Sequence, residues 1–199
     1  MSDSLIVDAG AQVTGDHQDL IDVLVHDHRT IEDLFLELES VGWQPQRIRD
    51  LVDVTVAELM RHSIAEEQHL YPAARRYLDG GGELADRALA EHRAAERLLS
   101  ELMSTDVEHP VFGTLVSRLV REVREHMSEE ESTLFPRLRA ECEPDVLVDL
   151  GTEVLSAKKL APTRPHPSVS RNKLAGPIIG LVDQAVDALT DRPTTIDEL

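Results

Sequence analysis

The run His62-Ser63-Ile64-Ala65-Glu66-Glu67-Gln68-His69-Leu70-Tyr71-Pro72 decides how the rest of the chain is read. Inside it a histidine is followed four residues later by a carboxylate, the spacing that stacks two side chains on one face of a helix of about 3.6 residues per turn. The pattern returns 64 positions downstream as His126-Met127-Ser128-Glu129-Glu130-Glu131-Ser132-Thr133-Leu134-Phe135-Pro136. Histidine, paired glutamates, leucine, aromatic and proline recur at the same spacings. Two helices therefore carry matching His-Glu faces that can converge on one point.

The same shift of 64 lays Asp27-His28-Arg29 and Glu32 over Glu91-His92-Arg93 and Glu96. The chain reads as a duplicated helical pair with one histidine on each of four helices: His28, His62, His92 and His126. Each has a glutamate at i+4: Glu32, Glu66, Glu96 and Glu130. Apolar residues at helical spacing predict helices over 18–40, from Pro45 to Tyr77, over 83–104 after the Gly80-Gly81-Gly82 breaker, and from Pro110 to just before Pro144. The second should kink near Pro72, which has no backbone N–H to give. No segment alternates with the period of a strand.

Four long amphipathic helices with short links predict an all-α fold, an antiparallel up-down-up-down four-helix bundle over 18–143. Residues 1–17 read as a loose N-terminal arm. Residues 144–199 read as a helical and Pro-rich C-terminal extension packed on the bundle. Within it are a periodic stretch over 146–159, a proline-stiffened surface strap over 161–167 that contains His166, and a last amphipathic run over 178–189 whose apolar face should be buried.

Composition narrows the function classes. The chain has 199 residues, 41% of them hydrophobic, enough for one core. Its formal net charge of −18 repels phosphate backbones and anionic lipid, so neither nucleic acid nor membrane is the expected partner. Cys142 is the single cysteine, which excludes an internal disulfide framework and suits a reducing compartment. It reads as inert. No signal-peptide pattern opens the chain and no apolar run approaches the roughly 20 residues of a membrane span, so a soluble cytoplasmic protein, a monomer or weak homodimer, is expected.

A lone His-x-x-x-Glu pair is well explained as a surface ion pair worth about 0.2–0.5 kcal/mol. Four such pairs in register on four helices are not, because their inward members would meet at one level of the core, where unpaired polar groups cost several kcal/mol. Imidazoles suit iron, zinc, copper or nickel, carboxylates can bridge two ions, and no thiolate is supplied. Four histidines and two bridging carboxylates would give each of two metals two nitrogens and two oxygens. Such carboxylate-bridged pairs in four-helix bundles are iron or manganese more often than zinc.

With Asp27-His28-Arg29, the His62-x-x-x-Glu66-Glu67 run to Leu70-Tyr71-Pro72, Glu91-His92, and the His126-x-x-x-Glu130-Glu131 run to Leu134-Phe135-Pro136, the chain resembles the hemerythrin-like, or HHE cation-binding, domain family over about 18–140. The resemblance implies two non-haem iron ions, oxo- or hydroxo-bridged, with manganese or zinc ranking behind. It implies His28, His62, His92 and His126 as terminal ligands, Glu66 and Glu130 as bridges, and a small oxidant (O2, hydrogen peroxide or nitric oxide) as reaction partner. The sequence departs from the oxygen-carrying members at Glu96, where they have a second histidine. Glu96 is thus either a ligand or a neighbour that orients one, and a carboxylate there argues against simple reversible O2 carriage.

Two functions follow: catalase-like or other oxidative-stress chemistry, with possible catalase or peroxidase activity, and a non-enzymatic oxygen, redox or iron sensing or storage module. A bundle without metal is the third. The sequence assigns no catalytic residue. His17, His26, His69 and His109 lack repeat partners and read as surface or capping residues, and Tyr71 and Phe135 read as core, with the phenol able to donate a proton or an electron.

Overall fold

In the computed structural model, which describes residues 18–166 and 176–199, Asp19 caps the first helix by accepting the Asp22 N–H at 2.8 Å. The arm expected over 1–17, His17 with it, and the strap beyond His166 lie outside the described residues. Helix α1 spans Leu20–Ser40 and α2 spans Pro45–Ala65, with proline at its start. Helices α3 (Tyr71–Tyr77), α4 (Gly81–Ser104), α5 (Phe112–Glu129) and α6 (Phe135–Glu141) complete the bundle. Among the described residues there is no strand, and the rods stack as expected: α1 against α2 and α5, α4 against α3 and α5.

Three boundaries differ from expectation. Where a kink was expected near Pro72, a π-helical turn, Glu66–Leu70, joins α2 to α3 without a break. In a regular helix the Pro72 ring would collide with the carbonyl four residues back. The turn widens instead, and the Tyr71 N–H bonds to Glu66 O, five residues back. A second π turn, Glu130–Leu134, does the same before Pro136, with Phe135 N–H on Glu130 O. The fourth rod starts at Phe112 and not Pro110, because His109 turns the chain: its carbonyl accepts the Phe112 N–H and its Nδ1 the Val111 N–H. The third starts two residues early, since Gly80 at φ 68° makes the turn by itself.

Buried apolar side chains form a layer on either side of mid-height. One contains Leu20, Leu24, Leu70, Phe135 and Leu138; the other contains Ile31, Phe35, Val56, Leu99 and Val123. His28 lies between the two layers along α1 and is fully buried. Cys142 is buried in the first layer, where burial pushes its thiol pKa up, consistent with an inert role.

The extension clasps the bundle. Helix α7 (Pro144–Lys159) packs on α1 and α2. Helix α8 (Gly176–Leu189) then reverses the orientation expected of it. Its only charged residues, Asp183 and Asp187, are buried, while Ile178, Leu181, Val182 and Leu189 face out. The reason is a set of donors beneath it: Asp183 accepts the Thr163 and Arg164 N–H groups, and Asp187 is bound by the guanidinium groups of Arg164 and Arg192. Those charge-assisted bonds outweigh burial of one aliphatic stripe. Arg192 reaches on to the Asp53 carbonyl at 3.0 Å, and Arg61 on α2 holds the Thr194 carbonyl at 2.7 Å. Among the described residues no helix is long and apolar enough to cross a membrane.

The α7–α1 contact is close enough to test. A Cβ at Gly151 would stand 2.4 Å from the Gln18 carbonyl oxygen and 3.0 Å from Leu20 N, both backbone, whereas one at Gly113 meets nothing within 4 Å. Gly151→Ala should therefore cost about 1–3 kcal/mol in urea unfolding, and Gly113→Ala should be neutral or slightly stabilising. Equal stability of the two variants would contradict the close approach.

Candidate metal centre

Helical spacing brings His62 and His126 over their own i+4 glutamates: His62 Nε2 is 3.2 Å from Glu66 Oε1, and His126 Nε2 is 3.6 Å from Glu130 Oε1. The antiparallel rods add the other two histidines. His28 Nε2 lies 3.5 Å from Glu130 Oε2 and 4.0 Å from Glu66 Oε1, and His92 Nε2 lies 3.3 Å from Glu66 Oε2. Two groups result. His28, His62, Glu66 and Glu130 each present one donor atom within 4.8 Å of all the others, and Glu66, His92 and His126 do likewise. Glu66 belongs to both groups, and Glu130 spans from His28 to His126.

These distances are mostly long for hydrogen bonds. Nε2 of His28 and of His62, both oxygens of Glu66 and Oε2 of Glu130 are buried with no hydrogen-bond partner. Yet 3.2–4.0 Å is the separation of two donors that share an ion about 2.1 Å from each. The orphaned atoms and the donor types therefore fit a metal cation, and they fit two ions sharing Glu66 and Glu130.

A carboxylate stands behind each imidazole. His28 Nδ1 meets Glu131 at 2.8 Å, His62 Nδ1 meets Asp27 at 3.5 Å, His92 Nδ1 meets Glu67 at 3.1 Å and His126 Nδ1 meets Glu91 at 2.8 Å. Such contacts fix the tautomer, leaving every Nε2 lone pair for the centre. Sequence reasoning missed these four as functional residues. The signal was present, since the shift of 64 pairs Asp27 with Glu91 and Glu67 with Glu131. Arg29 grips Glu131 through two bonds of 2.7 and 3.0 Å, and the Lys158 ammonium on α7 binds Asp27.

The π turns place the aromatic residues. Five residues past Glu66 a regular helix would point Tyr71 about 140° away. The widened turn brings it back towards the same side, where its hydroxyl donates to Glu130 Oε1 at 3.0 Å and lies 2.9 Å from His92 Nε2. Its repeat mate Phe135 stacks on His28 with ring centroids 5.5 Å apart. The centre is thus symmetric in its nitrogen donors and asymmetric in its hydroxyl.

The remaining sequence candidates fall elsewhere. Glu96 is buried and lines a cavity beside His62, His92 and His126, outside both donor groups, and it accepts the His166 N–H at 2.8 Å. Glu32 sits at the half-exposed rim in an ion pair with Arg124. His26 is exposed and His109 caps, as expected, but His69 is buried and bonds Glu153 on α7 at 3.0 Å.

Burial and neighbouring charge set the protonation of the metal-free centre. Burial and the adjacent Glu130 charge hold the Glu66 carboxyl well above the usual range. Burial opposes ionisation of Glu130 too, but the facing His126 and His28 charges outweigh it and hold its pKa far below normal. His28 and His126 are raised, burial being outweighed by glutamate contacts, while burial pushes His62 down to about 4. Burial also keeps the Tyr71 phenol protonated.

Comparison with known proteins agrees with the geometry. A family model for the Hemerythrin HHE cation binding domain matches residues 19–138. An uncharacterised hemerythrin-like protein of Schizosaccharomyces pombe is 26% identical over 85% of this chain and 84% of its own length. A protein of Nostoc named as a DNA nickase is 33% identical over 75% of this chain, which spans only 43% of that longer protein. The crystal structure of a hemerythrin HHE cation-binding domain-containing protein from Mycobacterium kansasii shares the fold, with a TM-score of 0.62 at 23% identity over 71% of this chain and 86% of that one.

The protonation pattern predicts the pH dependence of metal loading. At neutral pH, Glu66, His28 and His126 hold protons more tightly than free side chains do. A cation must displace those protons, so ferrous iron added near pH 7 should release them, and apparent affinity should rise from about pH 6 to about pH 8. Calorimetry in buffers of different ionisation enthalpy measures this. Proton uptake, or an affinity flat with pH, would contradict it.

Proposed function

The chain belongs to the hemerythrin HHE cation-binding domain family, and from that premise we propose that it is a non-haem di-iron protein reacting with a small oxidant, O2, hydrogen peroxide or nitric oxide, in catalase-like or related oxidative-stress chemistry. The observation that carries this reading is the cluster of buried imidazole and carboxylate atoms left without hydrogen-bond partners around Glu66 and Glu130. His28 and His62 would hold one ion and His92 and His126 the other, with Glu66 and Glu130 between them. A thiolate-free set with two bridging carboxylates favours iron over zinc, which settles for four tight ligands. When bound, a pair of irons supplies the electrons that a two-electron oxidant requires.

The chain supplies orientation, a proton and apolar packing. The four outer carboxylates fix the imidazoles, and the two apolar layers pack on either side of the centre. Tyr71 holds a proton on its hydroxyl beside Glu130 and His92. Phe135 has none to offer, so proton delivery belongs to the His92–His126 half. The carboxylate of Glu96 beside that half argues against reversible O2 carriage.

A second reading, a non-enzymatic oxygen, redox or iron sensing or storage module, draws support from the extension. Lys158 on Asp27, Glu153 on His69 and the His166 N–H on Glu96 tie α7 and the strap to the bundle near the centre, so occupancy could bias their packing. DNA cleavage, named for the Nostoc relative, is not carried over, because a net charge of −18 opposes a phosphate backbone. We propose no membrane partner, and a cytoplasmic monomer or weak homodimer.

Iron-loaded protein should consume hydrogen peroxide faster than the same concentration of free iron. His62→Ala and His126→Ala should each lower that rate at least about tenfold and reduce iron content below two per chain. A wild-type rate no better than free iron, with two irons retained, would shift the reading to sensing or storage.

A further inference from the structure

Beside the centre, residues of α2, α4 and α5 line a partly open cavity of about 390 Å³. His62, His92 and His126 line it, so it adjoins the half of the centre that carries the Tyr71 hydroxyl. Its walls are mainly apolar: Leu59, Met60, Leu99, Val123 and Met127. Size separates it from a simple oxidant channel. A water-sized molecule needs only about 10–15 Å³ of such space, and an apolar cavity of about 150 Å³ takes up benzene. The space here is well over twice the latter.

Charge narrows the occupant further. Glu91, Glu96, Glu122, Glu125 and Glu129 also line the cavity, and the one arginine among its lining residues, Arg118, is held by Glu122 at 2.8 Å. An anion entering would meet five carboxylates, with Arg118 already engaged by Glu122. A neutral apolar molecule gains from the aliphatic walls and brings no charge for those carboxylates to repel. We propose that this cavity binds an uncharged, largely apolar organic molecule, at least the size of a substituted benzene, against the His92–His126 side of the centre. The inference deepens the di-iron reading and rests on it for what the bound molecule meets there; binding itself needs only the cavity.

The test uses a neutral and an anionic probe of equal shape, 2-naphthalenemethanol and 2-naphthoate, titrated into the full chain by calorimetry, with iron content measured on the same samples. The alcohol should bind saturably at one per chain and naphthoate at least about tenfold more weakly. Ala95→Phe, which adds a ring at the cavity lining, should abolish alcohol binding while helicity and iron content stay at wild-type values. Glu122→Gln releases Arg118 and should narrow the difference between the probes several-fold. Absence of saturable alcohol binding, equal affinity for both probes, or unchanged binding in folded Ala95→Phe would overturn the proposal. Alcohol binding with less than one iron per chain would leave the cavity standing and remove the di-iron reading; two irons without alcohol binding would do the reverse.

Discussion

Two carboxylates, Glu66 and Glu130, lie buried together at the middle of the bundle, with three of their four oxygens lacking a hydrogen-bond donor. Burying one unpaired charge costs several kcal/mol, and placing a second beside it adds repulsion. Without a cation the chain can only redistribute protons, which is why the Glu66 pKa is driven up and that of Glu130 down. The four inward histidines, the carboxylates that orient them and the apolar layers above and below all serve to hold this pair where a cation would relieve it.

The duplication of the helical pair is the economical way to build such a site. One His-x-x-x-Glu face made twice gives both central carboxylates, and the residues that precede His28 and His92 and follow Glu66 and Glu130 give all four orienting carboxylates. The prolines at 72 and 136 then do more than interrupt a helix. By forcing π turns at Glu66–Leu70 and Glu130–Leu134 they rotate Tyr71 and Phe135 towards the level of the histidines. Because only one of those two aromatics carries a hydroxyl, a nearly symmetric scaffold acquires two chemically different halves. The cavity lined by His62, His92 and His126 lies on the half with the hydroxyl.

The bundle and the His28, His62, His92, His126, Glu66 and Glu130 cluster were legible in the sequence because both depend on periods of three to four residues and on a shift of 64, which survive without coordinates. The π turns were not, since a proline inside a helical pattern signals only that a bond is missing and not how the helix repairs it. The orientation of α8 was misread for a related reason: periodicity identifies two faces but not which faces inward, and Asp183 and Asp187 turn in because Thr163, Arg164 and Arg192 wait there. Lys158 on Asp27 and His166 on Glu96 join residues far apart in the chain and outside the repeat, so no local pattern announced them. Glu96 shows the limit of the repeat itself, because it and Glu32 occupy equivalent positions yet one is buried and the other sits at the rim.

The proposed chemistry depends on whether this pair of carboxylates bridges two irons. Anomalous scattering from crystals of iron-loaded protein, collected on both sides of the iron edge, answers that directly. Two peaks should appear, one between His28 and His62 and one between His92 and His126, with Glu66 and Glu130 reaching both. A single peak, or peaks that vanish at the iron edge and persist at the zinc edge, would contradict a di-iron centre.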